Sequence, residues 1–163
     1  HWRGERSIAV HFTVYATIIQ CRDFLPDEVG GLCWLALDNV ASSVYIPIYG
    51  SVTDLPETYK TCGRLTGFSP KSAWWAFNRL GTITAKRWGD MHQIVDEVWY
   101  PMQHSFFANQ PTIENKALNL MEKEGKNAAV EFLTRYTNNC GQDAVSKAWE
   151  TGDYIWTTFD GLW

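Results

Sequence analysis

The spacing of apolar and polar positions changes once along this chain, near residue 69. In "SIAVHFTVYATIIQC" (7–21), Ile8, Val10, Phe12, Val14, Ala16 and Ile18 fall on one face; His11, Thr13, Tyr15 and Thr17 fall on the other. A period of two predicts a long strand buried on one side. "RDFLPDEVGG" then supplies breakers in Pro26, Gly30 and Gly31. "LCWLALD" (32–38) and "SSVYIPIYG" (42–50) predict two more strands joined by a short polar link. Pro47 cannot donate to a ladder, so the third strand is expected at an edge or to end there. Residues 51–68, punctuated by Pro56, Gly63 and Gly67, read as a surface loop.

From residue 69 the period is helical. Ser69 suits a helix cap and Pro70 the first helical position, where its missing N–H would be unpaired anyway. Trp74, Phe77, Gly81, Thr84 and Trp88 share one stripe, and Ala73, Ala76, Leu80 and Ile83 form a second beside it. So wide an apolar face implies burial between two layers. The pattern resumes through Met91, Ile94, Val95, Val98, Met102 and Phe106, with Gly89 and Pro101 expected to kink or interrupt it. Further helices are predicted over 112–123, about 127–138 and about 142–159. The fold class is α+β: antiparallel strands in the N-terminal third, about 7–50, then a helical two-thirds, about 69–159. Neither an internal repeat nor a linker divides the 163 residues.

A hydrophobic fraction of 45% with 20% charged residues describes a folded domain rather than a disordered chain. Nine tryptophans point to a heavy core or a large contact surface. A net charge of −4 offers phosphates no attraction, which argues against a nucleic-acid partner. No apolar run approaches the roughly 20 residues that span a bilayer, so no membrane partner is expected. The chain starts at His1 and enters strand-like sequence within a few residues, as expected of a portion of something longer.

Self-contained chemistry is hard to find in these residues. The cysteines at 21, 33, 62 and 140 lack zinc-knuckle or redox spacing and are expected as buried free thiols. His1, His11, His92 and His104 do not have the spacing of a metal site, so no metal or cofactor is expected. His11, on the polar face of the first strand, is the histidine best placed for function. Cys21 precedes Arg22, but neighbours in a strand point to opposite faces, so the cation need not approach the sulfur. The acidic pairs Asp27/Glu28, Glu122/Glu124 and Asp153/Asp160 read as solvated surface charge. Trp74 and Trp75 stand about 100° apart on a helix and cannot form a flat stacking platform. They are expected to pack in two directions, toward the sheet and toward a neighbouring helix or another part of the protein.

Four segments in order are more specific than any one alone. A strand ending Gln20-x-Arg22-x-x-x-Pro26 precedes the Gly30-Gly31-x-x-Trp34 strand, the Tyr45-x-Pro47-x-Tyr49 strand and the Ser72-Ala-Trp-Trp-x-Phe77 helix. Over about residues 7–107 this succession resembles the C-terminal part of the cysteine dipeptidases of the N-terminal-nucleophile (Ntn) hydrolase superfamily. The resemblance implies a share of an αββα sandwich and hydrolysis of dipeptides by an N-terminal cysteine whose own α-amine is the base. Residue 1 is His, and none of the four cysteines stands at a chain start, so no catalytic residue carries over. Gln20 and Arg22, at the strand end, are the candidate substrate-proximal residues, the alternative for both being a structural salt bridge or turn contact.

The expected reading is one C-terminal segment, residues 1–163, of a larger dipeptidase. It is inactive alone and partnered by the N-terminal remainder; the intact protein takes dipeptides, and oligomers are compatible with it. The alternative is a non-catalytic binding module with a Trp-rich surface. A complete small hydrolase using Cys21 or Cys62 lacks a recognisable base partner.

Overall fold

A computed structural model describes residues 9–162. In chain order it contains β1 (Tyr15–Cys21), α1 (Asp27–Gly30), β2 (Gly31–Leu37), β3 (Ile46–Tyr49), α2 (Glu57–Lys60), α3 (Ala73–Thr84), α4 (Trp88–Glu124) and α5 (Lys126–Thr158). The architecture is α+β as expected: a three-stranded antiparallel sheet in the order β1-β2-β3, then helices.

β1 is shorter and barer than its alternation predicts. Residues 7 and 8 of the predicted strand lie outside the described residues, and 9–14 lead into β1 through a turn closed by the Thr13 N–H on the Val10 carbonyl at 3.0 Å. β2 offers partners only from Gly31 to Leu37, and Tyr15 opposite Leu37 is the last that finds one. Alternation creates a face, but pairing needs a partner. Nor is one face buried: Ile18 is 54% exposed and Ile19, on the opposite face, 68%.

β2 carries the sheet's core face, with Leu32, Trp34 and Ala36 buried. β3 is an edge strand, as its proline predicts. The Pro47 carbonyl on that edge accepts from Thr137 Oγ1 of α5 at 3.1 Å, so α5 covers what would otherwise be an open ladder.

The helices depart from expectation in their boundaries. Ser69 does not cap α3, which begins at Ala73 with Ser72 at the N-cap. The Ser69 hydroxyl instead accepts from the Lys71 N–H at 3.2 Å, closing a local turn of the kind serine favours over helix. A 3₁₀ turn at Ala85–Arg87 separates α3 from α4. Of the predicted interruptions beyond it, the one between 123 and 127 is found and the others are absent: α4 runs 37 residues with Pro101 and Pro111 inside it, and α5 runs 33. Each proline gives up one backbone bond, but Ala117 of α4 and Ala129 and Leu133 of α5 lie fully buried in the shared core. Burial of that seam outweighs the lost bonds. Gly141, inside α5, is a contact point: a Cβ there would stand 3.1 Å from the Tyr59 ring. The real break between α4 and α5 is Gly125, at φ 94°.

Tryptophans join these layers. Trp99 of α4 is 4% exposed, stacks on Phe77 of α3, and donates to the Ser42 carbonyl at 3.0 Å. The Trp74 and Trp75 rings stand 80° apart, so they form no flat platform. Trp74 donates to the Val14 carbonyl and Trp75 to that of Gly63, each at 3.1 Å. The second direction is thus the 63–68 loop, where Phe68 meets Trp75 edge-on, rather than a helix. Trp88 and Trp156 remain 41% and 54% exposed.

Candidate functional site

Gln20 and Arg22 leave the end of β1 two residues apart. The turn that follows is closed by the Arg22 N–H on the Gly30 carbonyl at 3.1 Å and the Leu25 N–H on the Arg22 carbonyl at 3.3 Å. A Cβ on Gly30 would lie 2.7 Å from that Arg22 carbonyl oxygen, so the turn closes only over glycine. Arg22 Nε and Nη2 then donate to the Gly30 and Val29 carbonyls at 3.2 and 3.0 Å. Its Nη1 pairs with Glu114 Oε1 of α4, and the two side chains are only 14% and 13% exposed.

Glu114 Oε1 also accepts from Tyr49 Oη at 3.3 Å and Gln110 Nε2 at 3.0 Å. Burial, followed by the Glu114 carboxylate, pushes the Tyr49 phenol upward, which keeps it a donor. Gln110 Nε2 reaches on to Gln20 Oε1 at 3.3 Å, an oxygen that also accepts the Trp34 indole N–H at 3.1 Å. Trp34 in turn meets Phe107 edge-on, with centroids 4.9 Å apart. Phe107, Gln110 and Glu114, at spacings of three and four, form one face of α4 that holds Trp34, Gln20 and Arg22.

Indole can only donate, so Trp34 fixes which end of the Gln20 amide is oxygen. Gln20 Nε2 makes no hydrogen bond of its own among the described residues. Beside Arg22 a 660 Å³ hollow opens, lined by Cys21, Asp23, Leu25, Asp27 and the Gly30-Gly31 turn. Its chemistry is that of orientation and binding. Among the described residues no histidine lines it to serve the Cys21 thiol as base.

At the other end of β2, Asp38 is 4% exposed at φ 61°. Burial pushes its carboxyl upward, against the opposing pull of Asn78 Nδ2 at 2.9 Å from Oδ1. A Cβ on Gly81 would come within 2.9 Å of Asp38 Oδ2, which is why α3 crosses here through glycine. His11 lines the adjacent 280 Å³ hollow with Asp38 and Lys86; it sits in the exposed turn before β1 and not on a strand as expected.

The cysteines differ more than expected. No disulfide joins them; Cys140 is buried and Cys33 half-buried, but Cys21 and Cys62 are exposed, because β1 is an open edge and Cys62 lies in the loop before α3. Burial pushes the Cys33 thiol up, and foremost burial pushes Cys140 up to about 11. Both are held protonated and are poor nucleophiles. Because the folded value of Cys140 exceeds its ordinary value of 9.0, the stability it lends is fully present below about 9 and is lost as pH rises through about 11. Iodoacetamide at neutral pH is expected to label Cys21 and Cys62 in the native chain, and Cys140 only after denaturation. Peptide mass spectrometry reads the difference.

Sequence reasoning picked out Gln20 and Arg22 but missed Gln110, Glu114, Asp38 and Asn78. The 107/110/114 spacing was available as a signal, but the helix predicted over 112–123 leaves Phe107 and Gln110 outside it.

Comparison with known proteins points to a peptidase relationship. A Streptococcus pyogenes serotype M1 protein described as probable dipeptidase B is 27% identical over 70 residues, which is 43% of this chain and 14% of that protein. The chain therefore matches only a small part of the relative's length. The sequence profile of peptidase family C69 matches residues 1–100, well over half of the chain. The chain belongs to peptidase family C69, a cysteine dipeptidase-related family.

Proposed function

We propose that residues 1–163 form the C-terminal part of a dipeptidase whose nucleophilic cysteine lies in another part of the same enzyme. In this reading the sheet is one layer of an αββα sandwich, and the N-terminal remainder supplies the facing sheet and the catalytic residue. The nucleophile's thiol proton passes to its own α-amine as sulfur attacks the peptide carbonyl. That proton then leaves with the departing amine, and water hydrolyses the acyl-enzyme.

The carrying observation is the bareness of β1. Ile18 and Ile19 expose 54% and 68% of their surfaces on opposite faces of a strand with a free outer edge. Exposed, unpaired apolar strands are aggregation sites that folded proteins cover. The two shielded thiols, Cys33 and Cys140, and the lack of a histidine beside Cys21 among the described residues support a nucleophile from elsewhere. Gln20 and Arg22 are assigned to the substrate side of the cleft, with Gln20 Nε2 the group free to donate. A Trp-rich binding module gains less support, since Trp74 and Trp75 stand 80° apart and spend both indole N–H groups internally.

The test is expression of the full encoding reading frame. The intact polypeptide is expected to hydrolyse simple dipeptides and to lose that activity when the cysteine at its mature N-terminus is changed to alanine. Unchanged activity in that variant contradicts the proposal.

A further inference from the structure

A 410 Å³ hollow lies between β2, the loop of residues 55–65 and the start of α3, away from Gln20 and Arg22. Val14, Leu35, Leu37, Leu55 and Trp74 make its walls apolar. Within this lining Thr58 Oγ1 is buried with no hydrogen-bond partner among the described residues. That atom is closed to solvent, so a partner entering the hollow meets apolar walls.

Charge at the mouth narrows that partner. Lys60 is committed, with Asp54 at 3.0 Å and Glu57 at 3.2 Å. Arg64, exposed on the same lining, makes no hydrogen bond or ion pair among the described residues and acts on Asp38 only at a distance. An apolar hollow with one uncommitted guanidinium at its mouth suits a ligand with an apolar body and an anionic end. Guanidinium takes carboxylates through two parallel N–H bonds.

We propose that this hollow binds a hydrophobic amino-acid residue bearing a free carboxylate, at a place separate from the Gln20–Arg22 end of the sheet. The side chain lies against Leu35, Leu37 and Trp74, and Arg64 takes the carboxylate. The preference for an apolar carboxylate rests on this hollow alone and not on the dipeptidase reading.

The experiment titrates the isotopically labelled chain with N-acetyl-leucine, N-acetyl-leucinamide and N-acetyl-alanine, following amide and indole resonances. N-acetyl-leucine is expected to shift the Trp74 indole and the amides of residues 58–65. The other two are each expected to bind at least about tenfold more weakly, as loss of a charged hydrogen bond or of apolar contact implies. Arg64→Gln should weaken N-acetyl-leucine by a similar factor and leave N-acetyl-leucinamide unchanged; being exposed, it should not disturb the fold. N-acetyl-leucine shifts absent from this region, or affinity indifferent to Arg64, would overturn the proposal. Dipeptide turnover by the intact polypeptide without binding here refutes this inference and leaves the dipeptidase reading standing. Binding without turnover does the reverse.

Discussion

Trp99→Ala is expected to cost about 3–5 kcal/mol, the range for large aromatic truncations in a core. Trp99 is 4% exposed and serves three segments at once. It stacks on Phe77 of α3 at 5.8 Å, projects from α4, and donates to the Ser42 carbonyl in the β2–β3 link. Truncation removes the ring volume and orphans that carbonyl, two losses that the rigid helix pair cannot absorb by collapse. Urea unfolding should show a lower midpoint with little change in slope. Trp99→Phe, which keeps most of the volume, should recover more than half of the loss. A loss under about 1 kcal/mol for the alanine variant would place Trp99 outside the cooperative core.

Glu114→Ala is expected to cost about 3 kcal/mol, the low end for breaking a shielded ion pair, because Arg22 keeps its bonds to the Val29 and Gly30 carbonyls. What is left behind decides the size. Arg22 would retain its charge at 14% exposure without its counter-ion, and Tyr49 and Gln110 would lose their acceptor. If that reasoning holds, the double variant Arg22→Met/Glu114→Leu should be closer to the unsubstituted chain than Glu114→Ala alone, since the stranded charge is gone. Simple addition of the two single effects would mean that the pair does not couple.

The fold class was legible because its signal is local. The change from period two to period 3.6 near residue 69 separates strands from helices without knowledge of packing. Helix lengths were not legible, since Pro101, Pro111 and Gly141 carry breaker chemistry in their own neighbourhoods and are overruled by contacts made far away. Gly141 lies against Tyr59, which no local pattern announces. The site shows the same division. Gln20 and Arg22 stood out as a strand-end motif, but their partners Gln110 and Glu114 lie 90 and 92 residues downstream, so the network exists only after folding. β1 was misread for a related reason: its alternation describes which residues share a face, and only the rest of the structure decides whether that face is covered.

The central claim is that this chain carries the scaffold and substrate side of a dipeptidase without its nucleophile. The most direct test is hydrolysis of simple dipeptides by the purified 163-residue chain, followed by amino-acid release. No turnover above the uncatalysed rate is expected, with or without reductant. Turnover that disappears on replacing one of Cys21, Cys33, Cys62 or Cys140 would contradict the account.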